Sequence, residues 1–306
     1  MRIWLTGGSG FVGSHLRAAF ERHGATVAAP THREVDVTDP QAVRDSVDAF
    51  EPDALVHCAI LNDLTDLHRR RREAWAGYVT ATRNVVDAAG GKHVTLISTD
   101  WVFDGTQANA REDEPPNPIN AYGFLKAASE LVVSQRANKG AIARISGVQG
   151  AANGPRQQDH GFGYFVAALV QALEAGEPFT VWESDDINMR ATPTLASDAA
   201  ELIWRIVQTE STGIHHCCGG EAVTRAQLAR ATVRAFELDE SLLRFGPPPP
   251  PGAPVPYDTS LDATRTAARL KTELPGVGDQ LTRLREALRG GAASSAPARC
   301  PPEEVS

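Results

Sequence analysis

The sequence predicts an α/β protein: a Rossmann-type, doubly wound parallel sheet followed by a smaller C-terminal α/β substrate domain. Three observations predict it. A glycine cluster, Thr6-Gly7-Gly8-Ser9-Gly10-Phe11-Val12-Gly13, stands between a short apolar run and a segment of helical period. Up to residue 150, apolar runs of strand length alternate with helical segments, the rhythm of a parallel sheet with crossover helices. After Gly150 that rhythm breaks, and glycine, glutamine and charge fill residues 151 to 163. The predicted organisation is a dinucleotide-binding domain at 1–150 and a mainly substrate-binding domain at 151–289, some of whose segments return to the first sheet. A proline-rich, small-residue tail at 290–306 is expected to be disordered.

Each element has its own signal. Residues 2 to 6 form an apolar strand, and Val12, Leu16 and Phe20 make a helical stripe that Gly24 ends. A second strand, Thr26 to Ala29, stops at Pro30. A helix over Pro40 to Phe50 leads to the buried-looking strand Ala54 to Ala59. Apolar residues at helical spacing predict one helix over 73 to 89, closed by Gly90-Gly91 before the strand Val94 to Ile97. A helix from Ala121 to about Ala137 and a strand from Ala141 to Ile145 complete the first domain. In the second domain Tyr164, Val166, Leu169, Val170 and Leu173 mark a helix, and five consecutive prolines within Gly246 to Pro254 mark a stiff surface connection. The arginine run Arg69 to Arg72 reads as a solvated helix face.

Composition narrows the partners. The 306-residue chain carries a formal net charge of -8, so no basic field offers itself to nucleic acid or an anionic membrane. The N-terminus turns glycine-rich after six residues, without an apolar stretch of signal-peptide or membrane-span length. A cytoplasmic protein with a small-molecule ligand is expected, and a homodimer is the candidate assembly. The cysteines Cys58, Cys217, Cys218 and Cys300 lack framework spacing, which fits reduced thiols. His215-His216-Cys217-Cys218 is an extended run whose neighbours point to opposite faces, so no metal site is expected there.

The glycine cluster fits both Gly8-x-Gly10-x-x-Gly13 and Gly7-x-x-Gly10-x-x-Gly13, between strand and helix, as a dinucleotide turn requires. Gly7, Ser9, Gly10, Phe11, Val12 and Gly13 are the candidate pyrophosphate contacts. The second strand ends in Ala29-Pro30-Thr31, without the acid that commonly holds an NAD ribose. His32 and Arg33 follow and could meet a 2′-phosphate, whereas Glu34 could serve NAD. NADP is the expected cofactor and NAD the alternative. Tyr122 and Lys126 lie one helical turn apart on one face. A phenol is a poor acid-base group near neutrality unless tuned, and the Lys126 ammonium is expected to favour its phenolate. Ser98-Thr99 ends a strand beside them. Such a set suits hydride chemistry, with a proton delivered to the developing alkoxide.

These motifs together resemble the extended short-chain dehydrogenase/reductases, and within them the dTDP-4-dehydrorhamnose reductase family. Further matching residues are Asp36-Val37-Thr38-Asp39, His57-Cys58-Ala59, Ser98 to Gly105, Tyr122-Gly123-Phe124-Leu125-Lys126, Arg144 to Gly150, Ala191-Thr192-Pro193-Thr194 and Gly213 to His216. The resemblance runs to about residue 288. It implies that Thr99 hydrogen-bonds the substrate oxygen, that Tyr122 donates the proton, and that Lys126 binds the nicotinamide ribose and lowers the tyrosine's pKa. It further implies that Asp36 and Val37 border the adenine, and that Cys58, Ala59 and Ile60 line the ribose side. Trp101, Ser146, Asn188 and Arg190 are the expected substrate contacts, with Gln157, Gln158, Asp159, His160 and Arg156 in a mobile lid. The sequence departs from the family at Trp101, where a tyrosine is usual, at Tyr78, where an asparagine is common, and over Ile145 to Gln149. The implied activity is NAD(P)H-dependent reduction of a keto group, most plausibly the 4-keto group of a nucleotide-activated deoxysugar. The alternatives are a sugar-nucleotide epimerase or dehydratase, for which Asp100 supplies the acid after the hydroxyl residue, and a non-catalytic NADP-binding regulatory subunit such as methionine adenosyltransferase possesses.

Overall fold

The computed structural model describes residues 1–60, 67–151 and 157–294. The first half alternates strands and helices: β1 (Arg2–Thr6), α1 (Phe11–Arg22), β2 (Thr26–Ala28), α2 (Pro40–Phe50), β3 (Ala54–His57), α3 (Arg71–Trp75), α4 (Ala81–Ala88), β4 (His93–Thr99), α5 (Ala121–Arg136), β5 (Lys139–Ile145) and β6 (Val148–Gln149). The second half holds α6 (Phe165–Glu174), β7 (Phe179–Trp182), β8 (Arg190–Ala191), β9 (Thr194–Leu195), α7 (Ala196–Gln208), β10 (Gly213–His216), β11 (Val223–Thr224), α8 (Arg225–Phe236), β12 (Leu243–Gly246), α9 (Thr264–Leu270) and α10 (Val277–Ser294).

Six strands form one sheet in the order β10-β5-β4-β3-β1-β2, all in parallel. Alternate side chains of these strands enter two separate cores, so helices cover both faces. Ile3, Leu5, Ala141 and Ala143 pack with Leu16 and Phe20 of α1 and Ile203 of α7. Trp4, Leu55, Leu96 and Ile142 pack on the other face with Val43 and Val47 of α2, Val85 of α4 and Val133 of α5. The edge strand β10 comes from the second half of the chain, as does α7. A third core joins α6, α8 and α10 to the parallel pair β7 and β12, through Phe165, Leu169, Val181, Leu228 and Leu281.

The helix expected over 73 to 89 is interrupted. Between α3 and α4 the residues Ala76–Thr80 form a π-helical turn, and Thr82 Oγ1 bonds the Tyr78 carbonyl at 2.6 Å. A π turn inserts an extra residue into the helical repeat and shifts side-chain direction locally. Here it points Tyr78 inward, against α5. At the C-terminus, α10 runs to Ser294, past the expected start of the tail, and residues 295–306, with Cys300, lie outside the described residues. Among the described residues no helix is long and apolar enough to cross a membrane.

Candidate active site

The chain leaves β1 towards β2 on one side, while β3 pairs on the other, so the sheet's switch point lies at the ends of β1 and β3. Ligands of open parallel sheets enter at such a crevice. Gly7 stands there at φ +70, and a Cβ on it would meet Ala59 N at 2.8 Å. A Cβ on Gly13 would lie 2.0 Å from the Gly7 carbonyl oxygen, so these two glycines serve the turn's own closure. Gly10 differs: its Cβ would meet only Gly7 O, at 3.3 Å. Gly10 also caps α1 without a side-chain bond, and the first turn of α1 holds no acid. The helix N-terminus therefore presents backbone N–H groups and positive dipole to an approaching anion, as a pyrophosphate requires. Thr6 Oγ1 ties the two strand ends together by accepting from Cys58 N and Ala59 N, both at 3.1 Å, and pairing with His57 Nδ1 at 2.8 Å.

Beyond β2, His32 and Arg33 are exposed. Glu34 turns back on Thr31, accepting from its backbone N at 2.7 Å and its hydroxyl at 2.9 Å, and those bonds hold its carboxyl below the usual range. Asp36 accepts from Thr38 N and Thr38 Oγ1 in a local turn. Asn84 of α4, buried, donates to the carbonyls of Val37 and Thr38 at 3.1 Å each and so fixes that loop from below. Nothing in the local sequence pattern singles Asn84 out. Ile60 is 36% exposed at the rim.

The candidate catalytic residues converge where β4 meets α5. Thr99 ends β4 and caps the short turn Asp100–Val102, its Oγ1 accepting from Trp101 N at 3.2 Å. Asn120 caps α5 by accepting from Gly123 N at 2.9 Å. A Cβ on Gly123 would sit 2.0 Å from Trp101 O, so this glycine lets the helix close onto the turn. That approach brings Tyr122 beside the end of β4, near enough to the Thr99 hydroxyl for it to draw the phenol's pKa down. Lys126, 5% exposed, donates from Nζ to Ile97 O at 2.8 Å and lies 5.7 Å from the Tyr78 ring centroid. The Tyr122 ring stands edge-on to Tyr78 at 6.2 Å and to Trp101 at 6.0 Å.

Burial dominates the electrostatics. It pushes the Tyr122 phenol well above its ordinary value, the Thr99 bond draws it partly back, and the carboxyl of Asp100 and the thiol of Cys58 raise it further. Burial brings the Lys126 ammonium down to about 8, against the pull of Cys58 and Glu130, and raises the Cys58 thiol to about 11. Lys126 gives one of its three hydrogens to Ile97 O, the Thr99 hydroxyl lowers the phenol, and the balance keeps Tyr122 protonated.

Beneath the site lies an ion pair that the sequence reading missed. Arg144, fully buried, donates from Nε and Nη2 to Glu130 at 3.0 and 2.7 Å, and its guanidinium lies 5.0 Å from the Phe103 ring centroid. Ser98 Oγ donates to Glu130 Oε1 at 2.5 Å, beside Thr99. Glu130 stands one turn after Lys126 on the stripe that carries Tyr122, a signal that could have marked it. His216 Nδ1 pairs with Asp262 O at 2.9 Å, while His215 faces Ser211 Oγ at 3.2 Å, so the adjacent histidines serve different surroundings.

On the substrate side, Trp101 is half-buried and reachable, and a Cβ on Gly161 would meet its ring at 2.9 Å. Ser146 and Asn188 are placed differently from expectation. Ser146 is buried and donates to Asp100 Oδ2 at 2.8 Å. Asn188 is buried with Nδ2 donating to Pro256 O at 3.1 Å and Thr259 Oγ1 at 2.8 Å, so both residues stiffen the wall from behind. Arg190 keeps an exposed side chain, 3.8 Å from Asp258. The segment expected as a mobile lid is tied down where it is described: Arg225, fully buried, donates to Gln158 Oε1, to Asp159 O and Gly161 O, and to Asn188 O. His160 Nε2 pairs with Pro249 O at 2.7 Å in the proline run. Arg156 lies outside the described residues.

A family model described as the RmlD substrate binding domain matches residues 1–289. The methionine adenosyltransferase 2 subunit beta of Danio rerio is 27% identical over 303 residues, covering 94% of this chain and 89% of the relative. The dTDP-4-dehydrorhamnose reductase of Streptomyces griseus is 32% identical over 251 residues, covering 79% and 78%. Among solved structures, the dTDP-4-dehydrorhamnose reductase of Bacillus anthracis in complex with NADP is similar at a TM-score of 0.82 and 22% identity, over 94% of this chain and 99% of that one. The likeness of that structure is one of fold, whereas the family match spans the strand-turn-helix cradle, the Thr99/Tyr122/Lys126 cluster and the second lobe alike: the chain belongs to the RmlD substrate binding domain family.

Proposed function

We propose that this protein is an NADP(H)-dependent reductase of a keto group, most plausibly the 4-keto group of a nucleotide-activated deoxysugar. The observation that carries the reading is a buried Tyr122 phenol held protonated beside Thr99 and Trp101, in a fold whose glycine turn fits a dinucleotide. Its sugar-nucleotide side rests on the 32% identical reductase of Streptomyces griseus. The choice of NADP is supported by Glu34, whose carboxylate turns back on Thr31, and by the exposed Arg33, suited to a 2′-phosphate.

Gly10 and the N–H groups opening α1 would hold the pyrophosphate of a bound dinucleotide and Cys58 to Ile60 would border its ribose, and its dihydronicotinamide would be the source of hydride for the carbonyl carbon. The chain's own residues do the rest. Tyr122 gives its phenolic proton to the carbonyl oxygen as the alcohol forms, Thr99 orients that oxygen, and Lys126 holds the ribose side of the site. Trp101 and Arg190 bound the substrate, while Ser146 and Asn188 keep the wall in place.

The experiment is oxidation of NADPH with a panel of 4-keto-6-deoxy nucleotide sugars. Tyr122→Phe is expected to lower turnover by about 10²- to 10⁴-fold, the range for loss of a general acid, while NADPH still binds. An undiminished rate overturns the assignment. A second reading, a non-catalytic subunit, is favoured by the 27% identical methionine adenosyltransferase 2 subunit beta. NADPH binding without turnover on any ketone, together with stoichiometric capture of a methionine adenosyltransferase catalytic subunit, would decide for it.

A further inference from the structure

Asp100 is 5% exposed and sits directly behind Thr99. Two hydroxyls donate to its carboxyl, Thr99 Oγ1 to Oδ1 at 3.0 Å and Ser146 Oγ to Oδ2 at 2.8 Å, and the Thr259 hydroxyl stands near enough to help draw it down. An ionised carboxylate only accepts, so both donors must spend their hydrogens there. Thr99 has one hydrogen. With that hydrogen on Asp100 and Trp101 N–H on one of its lone pairs, Thr99 can only accept from Tyr122 and has nothing to donate to a substrate oxygen.

A protonated Asp100 reverses the bond. Its O–H donates to Thr99 Oγ1, and the Thr99 hydrogen turns towards the phenol and the carbonyl oxygen of the substrate. We propose that Asp100 is a positioning residue that acts through Thr99, its protonated form making Thr99 a donor to the substrate oxygen and its ionised form making Thr99 an acceptor. The inference rests on the ketone-reductase reading given above.

The surroundings favour a carboxyl that changes state in the working range. Burial raises Asp100 to about 6, against the three hydroxyls that pull it down. The titratable groups that sense it are the Tyr122 phenol from α5 and the Cys218 thiol after β10, both themselves pushed up. Neighbouring cations are engaged elsewhere: Lys126 Nζ on Ile97 O, and Arg144 on Glu130. In the segment that brings Thr259, Asp258 is bonded by Ser260.

The test is the pH profile of kcat/KM for ketone reduction from about pH 5 to about pH 8, for the wild type, Asp100→Asn and Ser146→Ala. One ionisation predicts a fall of about tenfold per pH unit above its midpoint. An asparagine amide can donate to Thr99 at every pH, so Asp100→Asn is expected to retain turnover and lose that limb. Ser146→Ala removes a donor to the ionised form and is expected to move the limb to higher pH; should Asp100→Asn fail to fold, this shift decides. A wild-type profile flat over the range, or the same limb in Asp100→Asn and wild type, overturns the proposal. Infrared difference spectra of the wild type against Asp100→Asn or Ser146→Ala follow the carboxyl without turnover. A protein inactive on every ketone but with a titrating Asp100 contradicts the reductase reading alone, whereas an Asp100 that does not titrate overturns the positioning role.

Discussion

In the proposed reduction Tyr122 and Thr99 act together on the substrate oxygen, and their neighbours show how differently a site residue can contribute. Lys126 donates to Ile97 O and leaves the phenol to Thr99, so Lys126→Met is expected to weaken NADPH binding without moving the alkaline limb of the residual activity. Fluorescence titration of NADPH together with the pH profile checks this; a displaced limb would restore Lys126 as the group that tunes the phenol. The glycines divide in the same manner. Gly10→Ala meets only Gly7 O at 3.3 Å, so the fold should stand while the cofactor is lost. Gly13→Ala drives a Cβ to 2.0 Å from backbone and should cost stability as well, by about 1–3 kcal/mol. Thermal melts with and without NADPH separate the two, and equal melting temperatures for both variants would contradict the distinction. The placement of the glycine turn between β1 and α1, and of Tyr122 and Lys126 on one face of α5, was legible because those signals are local in spacing. The bonds of Ser146 and Asn188 were not legible, because which way a wall residue faces depends on Asp100 and Thr259, more than forty and seventy residues away.

At the scale of elements, α5 sets the site. Its N-cap Asn120 and the close approach at Gly123 fix where Tyr122 stands, and the Glu130–Arg144 pair locks the helix against β5. A buried pair that loses one partner leaves an uncompensated charge, so Arg144→Met is expected to cost about 3–5 kcal/mol of stability, and Glu130→Leu added to it should recover part of the loss. Urea unfolding of the single and double variants measures it. Additive losses would mean that the pair does not act as a unit. The π turn that aims Tyr78 at α5 was invisible to periodicity, since apolar residues at helical spacing fit a continuous helix equally well; packing against Tyr122 and Lys126 distinguishes the two.

Over the whole molecule, parallel order and two-faced covering follow from runs such as Ile3-Trp4-Leu5, which feed both cores at once. The closing of the sheet by β10 depends on a strand arriving from residue 213, a long-range pairing that local pattern cannot specify. That strand ends in buried histidines. Burial, aided by Arg144 at His216 and by Arg269 at His215, brings them down to about 3 and about 4, and burial aided by Lys126 brings His57 to about 3. Unfolded, each would titrate near ~6.5, so the unfolded chain binds more protons below that value. Stability is therefore fully present above about pH 6.5 and is lost as pH falls, by about 1.4 kcal/mol per unit for each histidine. Asp100, raised by burial, opposes the trend below about 6. The urea midpoint should drop between about pH 7 and about pH 5; an unchanged midpoint would mean that the histidines are not held neutral.

The central claim, that Thr99 and a protonated Tyr122 deliver a proton beside a dinucleotide, is tested most directly by single-turnover oxidation of bound NADPH with a 4-keto-6-deoxy nucleotide sugar, comparing wild type with Tyr122→Phe. The account predicts a stoichiometric burst in the wild type that is slowed at least about 10²-fold in the variant with NADPH affinity unchanged. A burst of equal rate in both proteins would contradict it.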